Sequence, residues 1–487
     1  MHIITGAPGT NKTTKQVERM AREPGLYLVA NPTVALIAER VGDLQRMADA
    51  VGTKPLIIEV HGEVRRSVVR PVARAIADLP RDMKGLCHVI ALVTHEGLMS
   101  ADVSRFVGWH VVVDEVPSSI ATGAMRIPAT CDYMEAAYDF VDQGDGWSKI
   151  AVRSNAPSFT DLQDDDFLAA LVTFHRRAQS NAGVYVDLTD WRDARVKDRK
   201  VGWLSVWTLH ELEQAPFESV TLIGSGIMHS LTYLVSNVIA PLNITRTHMS
   251  TLRTGSPRVV IEYFASAHRG STAWWSTEIG EQNLVSIRRY LETQEVGYWT
   301  ANEKAAPFLS GLPNKQKPKI AGSNKLINRT SCAIIYSSKA LPTDRLLMEA
   351  FGITREQIEK AREREDIWQF VWRGALRRRD FMGEYVIRLY DCAQAEALEE
   401  QLRECGVTTD IVLRHVSPPG FHDVVRQMQP GRPPVYVGTA AEIDAARKVA
   451  NAEAAHQYRQ RKKAEKVAKQ ITIIAVPPQE APNAHRC

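Results

Sequence analysis

The sequence predicts an α/β protein: two tandem domains built on parallel sheets, a mainly helical subdomain inserted into the first, and a basic helical C-terminal extension. Three observations predict it. Short apolar β-rich runs alternate with helical patterns over the first third, the alternation stops near residue 122 and resumes at 219, and a second alternating set follows it. At 487 residues the chain also exceeds what one hydrophobic core ordinarily serves.

The elements follow in order. "HIIT" (2–5), "LYLVA" (26–30), "PLIIEV" (55–60), "HVIALVT" (88–94) and "HVVVDEV" (110–116) are apolar at successive positions, as strands covered on both faces are. From 122 to 217, acidic and aromatic stretches such as "DYMEAAYDFVDQGDG" and "DDDFLAALVTFHRRAQSNA" read as a helical insertion. "SVTLIGSG" (219–226) returns to the first pattern, so the first domain is expected over 1–121 and 218–255. "PRVVIEYF" (257–264), "EVGYWTA" (295–301), "SCAIIYS" (331–337) and "EYVIRLY" (384–390) then define a second domain over 256–395. The remainder, 396–487, divides into a short mixed segment, an Ala-rich basic helical run over about 439–470, and "PPQEAPNAHRC", which reads as a disordered tail.

Composition narrows the class. The chain is 44% hydrophobic and 24% charged, with no apolar run of the roughly 18–20 residues that a spanning helix needs. "MHIITGAPG" lacks the features of a secretory signal, so a cytoplasmic protein without membrane partners is expected. Six cysteines without a C-x-x-C pair indicate neither a disulfide framework nor a zinc or iron-sulfur centre. A net charge of +4 does not by itself specify a polyanionic partner.

The chemistry begins at "GAPGTNKTT" (6–14), where a strand runs through a glycine-containing turn into a helix. Such a loop binds phosphate because backbone N–H groups converge at a helix N-terminus, with a lysine for charge and a hydroxyl for Mg²⁺. The candidate nucleotide-binding residues are Gly6, Gly9, Asn11, Lys12, Thr13 and Thr14. Asn11 stands where the pattern G-x-x-x-x-G-K-[ST] has its second glycine, and asparagine is among the few residues that accept a left-handed backbone. An ordinary strand-turn-helix is the bland alternative for this stretch taken alone. About a hundred residues later the strand "VVVDEV" ends in Asp114 and Glu115, an arrangement suited to presenting one carboxylate to Mg²⁺ and another to an attacking water. Together the two motifs favour an ATPase using ATP and Mg²⁺, with Thr13 and Asp114 as metal ligands and Lys12 and Glu115 in catalysis.

The order of motifs resembles that of the superfamily-2 helicases, the DEAD/DEAH-like group, over about residues 1–390, and the compact, insertion-bearing core resembles helicases of phages or mobile elements. That resemblance implies two RecA-like domains with ATP between them. It makes "LVANPTVALIAERV" (28–41) and "LVTHEGLM" (92–99) strand-gripping segments, with Thr33, Thr94 and His95 as contacts, although a turn-capping threonine is the ordinary reading of each hydroxyl. "LIGSGI" (222–227) is similar to the Ser-Ala-Thr-like coupling motif through Ser225, and "AGSNKLINRTSCAIIYS" to a later interface motif through Gly322 and Asn324. "WQFVWRGALRRRD" resembles the motif whose Gln and Arg reach the triphosphate: Gln369 and Arg373 keep its four-residue step, Arg377 falls one position late, and Trp372 replaces a small residue. Arg373, Arg377 and Arg378 are thus the three choices for an arginine finger.

Near the C-terminus, "HQYRQRKKAEKVAKQ" (456–470) clusters Arg459, Arg461, Lys462 and Lys463 with Lys466 and Lys469, a set able either to neutralise phosphates or to form a solvated helix face. The implied activity is an ATP-dependent helicase or translocase in DNA replication or recombination of a phage or mobile element. Its partners would be single-stranded or forked nucleic acid, DNA rather than RNA, and replication proteins. The alternatives are a catalytically weak nucleic-acid-binding scaffold on the same fold, or a viral DNA-packaging ATPase, which would need an acidic nuclease cluster that the last hundred residues lack.

Overall fold

The computed structural model describes residues 1–62, 71–126, 136–144, 146–157, 161–162, 171–197, 200–250, 253–318 and 325–424. The chain divides into a unit of residues 1–424 and a second unit of 425–487, which lies outside the described residues. Gly322, Asn324 and the basic run with Arg459, Arg461, Lys462 and Lys463 fall outside them too.

The first sheet takes its strands from both sides of the insertion. Its early strands are β1 (His2–Thr5), β2 (Leu26–Asn31), β3 (Leu56–Val60), β4 (Val89–Thr94) and β5 (Trp109–Asp114). The insertion contributes β6 (Ile120–Arg126), β7 (Tyr138–Gly144), β8 (Trp147–Val152), β9 (Tyr185–Asp187) and β10 (Lys200–Val206) to a sheet of its own. Then β11 (Ser219–Ile223) and β12 (Thr245–His248) complete the first sheet, in the order β12-β1-β11-β5-β2-β4-β3, with every pairing parallel.

The apolar runs are explained by the two covered faces. Alternate residues of β2, β4 and β5 split between two cores: Leu28, Ala91, Val111 and Val113 pack on one side, while Val29, Leu92 and Val112 pack on the other against Val17, Ile37 and Leu44 of the helices Lys12–Arg22 and Val34–Val51. Each such Val, Leu or Ile side chain contributes about 1.5–3 kcal/mol by leaving water. The edge strand β12, "TRTH", is exposed along its length, so it carries no apolar signal.

The insertion departs from the helical expectation. Its described part centres on a five-stranded sheet in the order β6-β10-β9-β8-β7, antiparallel throughout, with the helices Val172–Gln179 and Leu188–Lys197 beside it. From Tyr138 on, the acidic stretch that looked helical is β7, the first strand of the hairpin β7–β8. Gly144 and Gly146 at its turn have φ of +85° and +82°, and Tyr138 and Ile150 bury in the insertion's core. A turn that glycine alone forms without strain outweighs a helical distribution of acids.

The second domain has β13 (Arg258–Ala265), β14 (Tyr298–Ala301), β15 (Ser331–Ile335), β16 (Glu384–Asp391) and β17 (Ile411–His415), all parallel, in the order β14-β15-β16-β13-β17. Ile261, Ile334 and Ile387 pack on one face and Phe264, Ile335 and Tyr390 on the other. The helix Glu365–Val371 lies on the first face through Trp368 and Phe370. Two helix-covered parallel sheets in tandem are the RecA-like arrangement expected. Among the described residues no helix is long and apolar enough to cross a membrane.

Candidate functional site

The turn after β1 has the backbone its sequence demands. Gly6 and Gly9 have φ of +146° and +83°, and Asn11, at φ +61° and ψ +25°, is left-handed at the N-cap of the helix Lys12–Arg22. A Cβ on Gly6 would lie 2.3 Å from Met249 O, and one on Gly9 would lie 3.1 Å from Arg377 O. The Asn11 side chain is exposed and makes no capping bond, so backbone tolerance alone accounts for it. Lys12 Nζ is buried and donates to Gly6 O at 2.6 Å and Ala7 O at 2.8 Å. Burial lowers its pKa, against the opposing pull of Glu115 and Asp114. Thr14 is exposed and lines a separate groove with Arg40 and Asp43.

The acids at the end of β5 meet this loop. Thr13 Oγ1 donates to Asp114 Oδ1 at 3.0 Å, joining residues 101 apart in sequence. Asp114 is buried, which raises its pKa, while Arg40 Nε, 3.6 Å from Oδ2, is the main influence in the other direction. Glu115 takes a left-handed φ of +66°, uncommon for a side chain of its kind, and its N–H donates to Ile223 O at 2.7 Å. This turn at the strand end places the carboxylate in the cleft. Low-dielectric surroundings first, then Asp114 and Glu365, push its pKa up to about 7, with Arg373 and Lys12 opposing. A carboxyl poised near neutrality suits a general base.

The two segments with Thr33 and with Thr94 and His95 border the same cleft, of about 520 Å³. Thr33 Oγ1 accepts from Leu36 N and Thr94 Oγ1 from Gly97 N, so both cap helices. Capping uses oxygen lone pairs and leaves each O–H as a donor for a phosphodiester. His95 lines the same cleft. It is buried, its Nε2–H donates to Asp114 O at 2.9 Å, and burial lowers its pKa to about 4. It is therefore neutral at neutral pH and ties its segment to Asp114.

The second domain closes the site from the other side. Along the helix Glu365–Val371 and the turn after it, Glu365, Gln369 and Arg373 recur at four-residue steps. Gln369 Nε2 donates to Ser225 Oγ of the first domain and to Glu365 Oε1, both at 2.8 Å, and Arg373 Nη2 donates to Gln369 Oε1 at 3.3 Å. Arg373 is buried with Glu115 as its leading charge partner, and Arg377 packs on Gly9. Arg253 steadies this turn by donating to Leu376 O and Arg378 O, both at 2.8 Å. The Arg378 side chain turns away to Asp380, 3.0 Å, leaving Arg373 and Arg377 at the seam.

Sequence reasoning missed Glu365, Arg40 and Arg253. The first had a signal, since Glu365, Gln369, Arg373 and Arg377 are spaced by four residues throughout. Arg40 and Arg253 reach the site only through tertiary contacts and carry no local mark.

No model of a known protein family and no characterised protein matches the chain in sequence. Among solved structures, it is similar to helicases. An XPD helicase aligns at 10% identity and a TM-score of 0.46, covering 85% of this chain and 96% of that one. S. tokodaii Xpd4 aligns at 13% and 0.42, covering 85% and 95%. S. cerevisiae Dbp5 bound to RNA and ADP-BeF3 aligns at 10% and 0.37, covering 85% of each chain. Likenesses this distant assign no role to any residue.

The chemistry of the donors fits a magnesium-nucleotide. Arg373 Nε and Arg377 Nη1 are buried with no acceptor among the described residues, and an anionic ligand would supply one. The Thr13 hydroxyl and Asp114 carboxylate are hard oxygen donors of the kind Mg²⁺ takes alongside substrate phosphates. Beside the loop, a cavity of about 240 Å³ is lined by Pro8, His248, Trp372, Arg377 and Cys405.

Proposed function

We propose that the chain is a nucleic-acid-dependent ATPase working as a helicase or translocase. The observation that supports it most is the meeting of Lys12, the Thr13–Asp114 pair, Glu115 and the arginines of the second domain at one interdomain seam. The loop N–H groups and Lys12 would hold the phosphates of ATP, and Thr13 and Asp114 would hold Mg²⁺, which neutralises phosphate charge when bound. Glu115 accepts the proton of the attacking water. Arg373 and Arg377 stabilise charge developing on the transferred phosphoryl, and because they belong to the other domain they do so only when the domains meet.

Thr33 and Thr94 offer hydroxyl donors to the backbone of a single strand, a contact that positions without reading sequence. Arg459, Arg461, Lys462 and Lys463 would add salt-sensitive affinity. The finer reading, DNA unwinding in replication or recombination of a phage or mobile element, rests on the likeness of the compact, insertion-bearing core alone. Phosphate release from ATP, with and without single-stranded DNA or RNA, tests the proposal on the wild type, Lys12→Ala and Glu115→Gln. Stimulated hydrolysis that both substitutions abolish is the expected result. A wild type that hydrolyses no more than the variants under any nucleic acid overturns the motor and leaves the scaffold.

A further inference from the structure

We infer that Glu365 is a positioning residue of this site: its carboxylate occupies the space beside Gly226 and holds Ser225 and Gln369 so that Arg373 faces Glu115. The inference rests on the ATPase reading above and adds to it a residue that acts through Gln369 and Arg373.

Two independent observations carry it. The first is the bonding. Glu365 Oε1 accepts from Ser225 Oγ at 3.0 Å and from Gln369 Nε2 at 2.8 Å, one donor from each domain. An amide that gives its N–H to a carboxylate must turn its oxygen the other way, and Gln369 Oε1 accordingly accepts from Arg373 Nη2. The carboxylate, together with the Ser225 Oγ it holds, thus sets the amide, and the amide sets the guanidinium. The second is Gly226. Its φ of −95° is open to any residue, so the backbone does not call for glycine. A Cβ there would instead lie 2.4 Å from Glu365 Oε2 and 2.6 Å from Cδ, and the three nearest atoms all belong to that carboxylate. Gly226 is glycine to make room for Glu365.

The test is a double-mutant cycle on the full chain. kcat and KM for nucleic-acid-stimulated ATP hydrolysis are measured for Gly226→Ala, Glu365→Ala, both together, and Glu365→Gln, with melting curves for each. Gly226→Ala pushes the carboxylate off its donors, and a misplacement of about 1 Å costs on the order of 100-fold, so kcat should fall by about that factor with KM little changed. Glu365→Ala should fall similarly. The double variant should be no slower than Glu365→Ala alone, because the added methyl then has nothing to displace. Glu365→Gln keeps an acceptor oxygen and should restore most of the rate, which also guards against loss of folding in the alanine variants.

Costs that multiply in the double variant overturn the pairing of Gly226 with Glu365. A Glu365→Ala that raises KM and spares kcat overturns its action through Arg373. Both results require an active wild type, so they are distinct from a wild type without stimulated hydrolysis, which removes the ATPase reading and this inference with it.

Discussion

Replacing Asn11 tests whether the loop depends on a backbone shape or on a side chain. Asn11 sits at φ +61° and ψ +25°, with its side chain exposed and free of any capping bond. The left-handed region costs an ordinary L-residue roughly 1–2 kcal/mol, from which asparagine is partly spared and glycine wholly so. Asn11→Ala should lose the part of this that asparagine is spared, at most about 2 kcal/mol, which at RT of about 0.59 kcal/mol is up to roughly 30-fold in nucleotide affinity if the loop bears the cost. Asn11→Gly should stay near wild type, offset only by the roughly 0.5–1 kcal/mol of extra chain entropy that glycine loses on folding. Asn11→Val, branched at Cβ, should be the weakest. Titration with a fluorescent ATP analogue, alongside melting temperatures, measures binding and stability separately. Equal losses in Asn11→Gly and Asn11→Ala would refute the argument, because they would make the amide itself a ligand. An Asn11→Ala that binds as wild type would show that the loop is not held left-handed.

Other outcomes follow from the same geometry. In single-turnover assays Arg373→Ala should lose about 10³-fold or more, the scale of an arginine finger, whereas Arg378→Ala, removing a side chain paired with Asp380, should stay near wild type. Gly6→Ala should abolish nucleotide binding or folding, since its Cβ would meet Met249 O at 2.3 Å on a backbone at φ +146°. Glu115, with its pKa pushed up to about 7 from 4.5, resists ionising in the fold. That cost is absent below about pH 4.5, grows as pH rises and is complete above pH 7, at up to about 3 kcal/mol. Glu115→Gln in EDTA, without nucleotide, should therefore exceed the wild type in urea midpoint at pH 8 and match it near pH 4. Cys332, buried with its thiol pushed up to about 12, should resist alkylation in the native protein at pH 8 while the exposed Cys87 reacts.

The parallel strands were legible in the sequence because strands covered on both faces must be apolar at successive positions, as Val111, Val112 and Val113 are. The loop and the acids were legible for a like reason. Glycine, a left-handed asparagine, lysine and a strand ending in Asp114-Glu115 state their chemistry within a few residues. The insertion was misread because its strands are partly polar, β7 being mostly exposed, so the hairpin turn at Gly144 and Gly146 was a better guide than the acids before it. The polar β12 was missed because an exposed edge strand has no apolar face to show.

What only the tertiary structure decided is which charges meet. Three arginines within six residues, Arg373, Arg377 and Arg378, were all candidates in the sequence, and the turn steadied by Arg253 sends two to the seam and one to Asp380. The same holds for Arg40 beside Asp114, His95 under its carbonyl, and Glu365 between Ser225 and Gln369. A residue's own chemistry and its spacing along one element are local, so the sequence by itself determined the glycine-bearing turn before Lys12, the paired acids and the strands that carry them. Partners brought together from two domains depend on packing between elements far apart in the chain, which no local pattern encodes.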